Sequence, residues 1–129
     1  MKGDISAQLA AGTLLFTGYD EHEIKVNEKT YHSGLSIHKG LVTAPWGPDC
    51  LSELSIDDLT AFTQSAPEVM ILGTGRQTRF PSPEIMAFMA DNHIGFECMD
   101  SRAAARTYNI LVAEGRPASV ALLLPSARK

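Results

Sequence analysis

Gly73-Thr74-Gly75-Arg76 follows directly on the apolar run Val69-Met70-Ile71-Leu72, and this junction is where the chain is best placed to meet a ligand. Glycine lets backbone N–H groups approach an anion closely, and a guanidinium such as Arg76 or Arg79 can hold a phosphate or carboxylate through two hydrogen bonds. A second polar group, Asp100-Ser101-Arg102, follows another apolar run, and Arg106, Thr107 and Asn109 come close behind it. Together Gly73, Thr74, Gly75, Arg76, Asp100, Ser101, Arg102, Arg106, Thr107 and Asn109 form the candidate ligand or partner site. The competing interpretation is structural: a tight turn with solvated arginines, then a helix with one wet face. The known phosphate motifs are incomplete. A dinucleotide fingerprint needs glycine where Thr78 stands, and a phosphate loop needs Gly-Lys-Ser/Thr.

No nucleophile is nameable. The chain lacks a G-x-S-x-G elbow and an H-E-x-x-H pair, and its cysteines, Cys50 and Cys98, belong to no C-x-x-C motif. His22, His32, His38 and His93 lack the spacing of metal ligands, so neither a metal nor a cofactor is expected. Glu97 lies among apolar neighbours, where a carboxyl could become a general base; an edge-facing or arginine-paired carboxylate is the commoner case. The expectation is binding without catalysis.

These residues need parallel strands to bring them together. From residue 69 the pattern reads strand, helix, strand, helix, strand, a βαβαβ unit whose strand ends share one rim. Ser82-Pro83 is a good helix start, Asp100 or Ser101 caps the second helix, and Gly115 stops it. Strands are expected at residues 94–99 and 119–124. Before this unit, residues 14–19, 23–26, 30–37 and 41–44 read as antiparallel β, ended by Pro45-Trp46-Gly47-Pro48. A helix is expected from about Ile56, with Ser55 and Asp58 spaced as a capping box and Pro67 ending the segment. The expected fold is α/β: a Rossmann-related parallel sheet, both helices on one face, and an antiparallel β layer from the N-terminal part on the other, in three layers.

At 129 residues with 44% hydrophobic and 20% charged content, the chain fits one ordinary globular domain, 1–129. A formal net charge of −4 argues against a duplex nucleic-acid partner, which calls for a clustered basic face. The opening Met1-Lys2-Gly3-Asp4 shows no charged and apolar leader pattern, no run approaches bilayer-spanning length, and the two cysteines fit reduced thiols. A cytoplasmic protein, not integral to a membrane, is expected.

Leu72-Gly73-Thr74-Gly75, Phe80-Pro81, Gly95-Phe96-Glu97-Cys98-Met99, Ala105-Arg106-Thr107-Tyr108-Asn109-Ile110-Leu111 and Glu114-Gly115-Arg116 occur in the order of a known family. Through them the chain resembles the domain-of-unknown-function family that includes mitochondrial respiratory complex I assembly factor 3 and the adipogenesis-associated Mth-domain-containing protein. The likeness covers most of residues 69–124, and the earlier part resembles the family in layout. It implies one α/β domain and a protein partner rather than an enzyme, and it carries over Gly73, Thr74, Gly75, Glu97, Arg106, Thr107, Asn109 and Arg116. The chain departs at Asp100-Ser101, where the pattern leads one to expect a threonine. The function implied is help in assembling a respiratory or other membrane complex; the alternative is a small-anion or nucleotide-binding module at the glycine turn.

Overall fold

The computed structural model of the protein describes residues 12–126, so the opening Met1-Lys2-Gly3-Asp4 lies outside the described residues. It is a mixed α/β fold with two sheets. Strands β1 (Phe16–Tyr19), β2 (Ile24–Val26) and β3 (Lys29–Tyr31) pair antiparallel in the order β1-β2-β3. The larger sheet contains β4 (Leu35–His38), β5 (Leu41–Thr43), β6 (Val69–Gly73), β7 (Gly95–Met99) and β8 (Ala118–Leu122), ordered β5-β4-β8-β6-β7. β6 runs parallel to both β7 and β8, as the βαβαβ pattern requires, whereas β4 pairs antiparallel with β8.

The antiparallel part therefore divides. It does not form a separate layer throughout: β4 and β5 extend the large sheet, and only β1 to β3 stand apart. The single strand expected over residues 30–37 is broken at its middle, where the chain passes from one sheet to the other. Gly34 explains the break. A Cβ there would lie 2.6 Å from the Trp46 carbonyl oxygen and 2.8 Å from that of Leu122, so only glycine fits between these backbones.

Three α-helices connect these strands: α1 (Ile56–Leu59), α2 (Pro83–Asp91) and α3 (Ser101–Ala113). Asp58 accepts the Ser55 N–H at 2.9 Å at the start of α1, Ser82 accepts the Ile85 N–H at 3.3 Å, and Asp100 accepts the Ala103 N–H at 2.8 Å. Asp100, not Ser101, is thus the cap of α3. Beyond Glu114, Gly115 takes φ +76°, and its N–H and that of Arg116 close the helix on Val112 and Leu111.

The helices do not share one face, contrary to the sequence expectation. Val69, Ile71, Val120 and Leu122 pack with Ala104, Ala105 and Tyr108 of α3 and with Phe16, Ile24 and Val26 of the small sheet. The alternate residues Met70, Leu72 and Ala121 pack with Leu59, Phe62, Ile85 and Met89, placing α1 and α2 on the opposite side. Strand order gives the reason. The connection from β6 leads outward to β7, and that from β7 returns across β6 to β8; two crossovers of one hand running in opposite directions lie on opposite faces. Among the described residues no helix is long and apolar enough to cross a membrane.

Candidate functional site

The crevice between the carboxyl ends of β6 and β7 is where an open α/β sheet usually receives a ligand. The structure does bring Gly73, Thr74, Gly75, Asp100 and Ser101 together there, and it closes the crevice with the chain itself. The Thr74 N–H donates to Met99 O at 2.8 Å, and the Ser101 N–H to Gly75 O at 2.8 Å. Ser101 is fully buried; its Oγ accepts the Gly75 N–H at 2.9 Å and donates to Leu123 O at 2.6 Å. The Thr74 hydroxyl donates to Gln77 O at 2.6 Å and accepts the Arg79 N–H at 3.1 Å, folding residues 74–79 back over the rim. Thr78 Oγ1 then accepts the Asp100 N–H at 3.0 Å. The N–H groups of Thr74 and Gly75, on which an anion cradle would draw, are committed to Met99 and Ser101.

Gly73 is required for this closure. A Cβ on it would sit 2.5 Å from Leu122 Cδ2 and 2.9 Å from both Cα and Oγ of Ser101. Expected from the sequence in a ligand-binding turn, this glycine has a steric role: it lets α3 begin directly against β6.

The arginines diverge from the turn. Arg76 is exposed and pairs with Glu21, while Arg79 donates to Gln77 Oε1 at 2.7 Å. Arg102 lies over the Tyr19 ring, 4.9 Å from its centre, and its Nε donates to Tyr19 Oη at 3.2 Å. A cleft of about 270 Å³ lies between them, lined also by the carboxylates Asp20, Glu21 and Asp100, of which Glu21 pairs with Arg76.

Along α3, Asn109 binds the main chain of β1 in both senses: its Oδ1 accepts the Phe16 N–H at 2.9 Å and its Nδ2 donates to Phe16 O at 2.8 Å. Phe16 also meets Tyr108 edge to face at 5.6 Å, and burial raises the Tyr108 phenol above its ordinary pKa. Thr107 Oγ1 points at Met99 Sδ, 3.5 Å away. Arg106 is exposed, with no hydrogen bond or ion pair among the described residues. With Arg102 it flanks a groove of about 280 Å³ between α3 and β1, floored by Phe16, Gly18 and Ala105. Sequence reasoning found the helix side of this groove and missed β1, because the two walls lie 93 residues apart at the Asn109–Phe16 bond.

Two larger hollows, about 460 and 450 Å³, flank Pro45-Trp46-Gly47, which the sequence reading used only as a sheet exit. Trp46 is fixed between them by its N–H to Gly34 O at 2.9 Å and its Nε1–H to Asp58 O at 3.1 Å. His38, also missed, has Nε2 at 3.0 Å from Gln64 O and Nδ1 at 2.6 Å from the buried Ser119 Oγ. A carbonyl requires Nε2 to carry the proton, so in the neutral ring Nδ1 accepts from Ser119. Glu97 is exposed on β7 rather than buried. Next to it, burial pushes the Cys98 thiol up to about 11. Arg116 hydrogen-bonds the Glu68 carboxylate, which raises its pKa above its ordinary value. Among the described residues no three His, Cys, Asp or Glu side chains converge to hold a metal ion.

The chain is similar to the zebrafish (Danio rerio) protein named NADH dehydrogenase [ubiquinone] 1 alpha subcomplex assembly factor 3, 28% identical over 122 residues that cover 93% of this chain and 69% of that one. That second share falls to 45% for the Xenopus tropicalis protein of the same name, so the chain spans about half to two thirds of these relatives. Among solved structures, a Bordetella parapertussis protein is 35% identical with a TM-score of 0.81, covering 89% of this chain and 98% of its own. A Mth938-like domain of Bordetella pertussis is 27% identical with a TM-score of 0.79, covering 99% and 94%. The model of one family, described as protein of unknown function (DUF498/DUF598), matches residues 16–123, which take in both sheets, the closed crevice and the β1–α3 groove, and the chain belongs to that family.

Proposed function

We propose that this protein is a non-catalytic interaction protein that assists the assembly of a respiratory or other membrane complex from the cytoplasm. The observation that carries this reading is the similarity, over nearly the whole chain, to a relative named as an assembly factor. The geometry supports it from another side. At the rim of β6 and β7 the hydroxyls of Thr74, Thr78 and Ser101 and the N–H groups of Thr74, Gly75 and Asp100 bond to one another and to strand ends. Groups that could have met a substrate hold the fold instead, and Arg102 and Arg106, neither with an acidic partner among the described residues, are exposed on α3.

Affinity capture of the tagged full chain from its own cells, under mild salt, should recover a stoichiometric protein partner belonging to a membrane complex or its precursor. Recovery of no partner from either the membrane or the soluble fraction overturns the reading. A thermal-shift panel of nucleotides and organic phosphates addresses the rival. A ligand at a hundred times its Kd stabilises by roughly 2.7 kcal/mol, and no such shift is expected. A saturable shift that disappears in Arg76→Ala would replace the interaction role with anion binding at the glycine turn.

A further inference from the structure

We propose that the groove between β1 and α3 seats an acidic segment of the protein partner, with an apolar side chain in the groove and carboxylates on Arg102 and Arg106. This rests on the interaction-protein reading and gives the partner a chemistry. The groove floor is apolar, formed by Phe16, Gly18 and Ala105, and among the described residues the only charged ones lining it are the two arginines. They stand four positions apart, one helical turn, and so flank the same stretch of groove.

Charge complementarity fixes the sign of the occupant. The chain as a whole is acidic, at −4, yet among the described residues no carboxylate lines this groove. The carboxylates nearest in the fold line the neighbouring cleft, which Arg102 borders as well; there Glu21 pairs with Arg76, Asp20 accepts the His22 and Glu23 N–H groups, and Asp100 caps α3. Neither Arg102 nor Arg106 has an acidic partner among the described residues. Both walls are held before any partner arrives. Asn109 grips Phe16 through two hydrogen bonds, Phe16 packs on Tyr108, and the Arg102 guanidinium is stacked on Tyr19. An arginine placed in advance loses less freedom on binding a carboxylate, and its fork suits two parallel hydrogen bonds. Ile110, one turn beyond Arg106 on the same helical face, is 53% exposed and offers a second apolar contact in line with the groove. A peptide combining acidic residues with an aliphatic or aromatic one matches this sequence of surfaces. A lone small anion would leave the floor and Ile110 unused.

The test selects a random-peptide display library against the full-length protein. Recovered peptides should be rich in Asp and Glu next to an aliphatic or aromatic residue, bind more weakly as salt rises, and shift the backbone amide resonances of Phe16–Tyr19 and of residues 105–110. Arg106→Glu, at an exposed position, should keep the wild-type Tm and weaken these peptides by about tenfold or more, whereas Arg116→Glu should not. Peptides without acidic enrichment, binding unaffected by Arg106→Glu, or amide shifts confined to other surfaces would each overturn the assignment. So would equal competition by benzoate, inorganic phosphate or vesicles of phosphatidylserine, which would give the groove to a free anion or a lipid surface. The parent reading fails separately. If affinity capture recovers a partner that Arg106→Glu retains in full, this surface is wrong and the interaction role stands; if wild type captures nothing, the role itself falls.

Discussion

Replacing Ser101 by alanine removes one oxygen and leaves two backbone groups without a partner. In the wild-type protein that oxygen donates to Leu123 O at 2.6 Å and accepts the Gly75 N–H at 2.9 Å, tying the start of α3 to the segments that leave β8 and β6. All three residues are buried, so water cannot replace the lost hydroxyl without opening the rim. A buried backbone group left unpaired costs about 1–3 kcal/mol, giving about 2–6 kcal/mol for the pair. Alanine's better helix propensity returns at most roughly 0.5 kcal/mol at a helix start. The balance is a large part of a domain stability on the order of 5–15 kcal/mol and corresponds to a Tm lower by roughly 5–20 °C. Urea unfolding followed by both far-ultraviolet circular dichroism and Trp46 fluorescence measures it, and coincidence of the two probes checks that unfolding is two-state. A Ser101 that served a ligand would behave in the opposite way, since removing such a group leaves stability unchanged or raises it. A loss below about 0.5 kcal/mol would therefore refute the self-closed crevice, because it falls short of even one unpaired buried group.

Gly34→Ala should destabilise by about 1–3 kcal/mol and shift the Trp46 emission, because its Cβ must displace the backbone oxygens of Trp46 and Leu122, 2.6 and 2.8 Å away; an unchanged spectrum and Tm would contradict the close approach. Asn109→Ala should expose the Phe16 amide to rapid hydrogen exchange, whereas Asn109→Asp keeps an acceptor for that N–H and should preserve protection while losing about 1–3 kcal/mol at Phe16 O. Equal exchange in the two variants would contradict the clamp. In a Cys50→Ser background, Cys98 should react with iodoacetamide at pH 8 roughly a hundredfold more slowly than an ordinary thiol, since burial moves its pKa from 9.0 to about 11 and the thiolate is the nucleophile. Cys98 protonation then favours the folded state fully below about pH 9, and this contribution fades as pH rises from 9 toward 11; labelling at the free-thiol rate would refute the shift.

Local signals in the sequence located the parallel unit well. The unbroken Val69-Met70-Ile71-Leu72 run belongs to a strand buried on both faces, Ser82-Pro83 starts α2, and Gly115 does end α3. Features that depend on distant pairings were not legible. Whether α2 and α3 share a face is decided by β8 returning past β6, an order that no periodicity encodes. The 30–37 stretch has continuous β character, and only the crowding of Trp46 and Leu122 around Gly34 reveals the change of sheet. The candidate site shows the same division. Residue types correctly gathered Gly73, Thr74, Gly75, Asp100 and Ser101 at one rim, but hydroxyls and glycines suited to holding an anion are equally suited to holding one another. In this structure they hold one another, since Met99 O and Leu123 O arrive within reach of Thr74 and Ser101. Arg102 and Arg106 were found as a helical pair, while their opposite wall, Phe16–Tyr19, carries no motif and is recruited through Asn109.

A carboxamide carries the same donor and acceptor as a peptide group, so at Phe16 the Asn109 side chain impersonates a neighbouring strand. At Phe16 the edge of the small sheet is thereby capped by a single side chain. No other chain can lengthen it there by main-chain zippering without first evicting Asn109, which removes one route to runaway self-association. A partner that engages β1 at Phe16 must read its side chain.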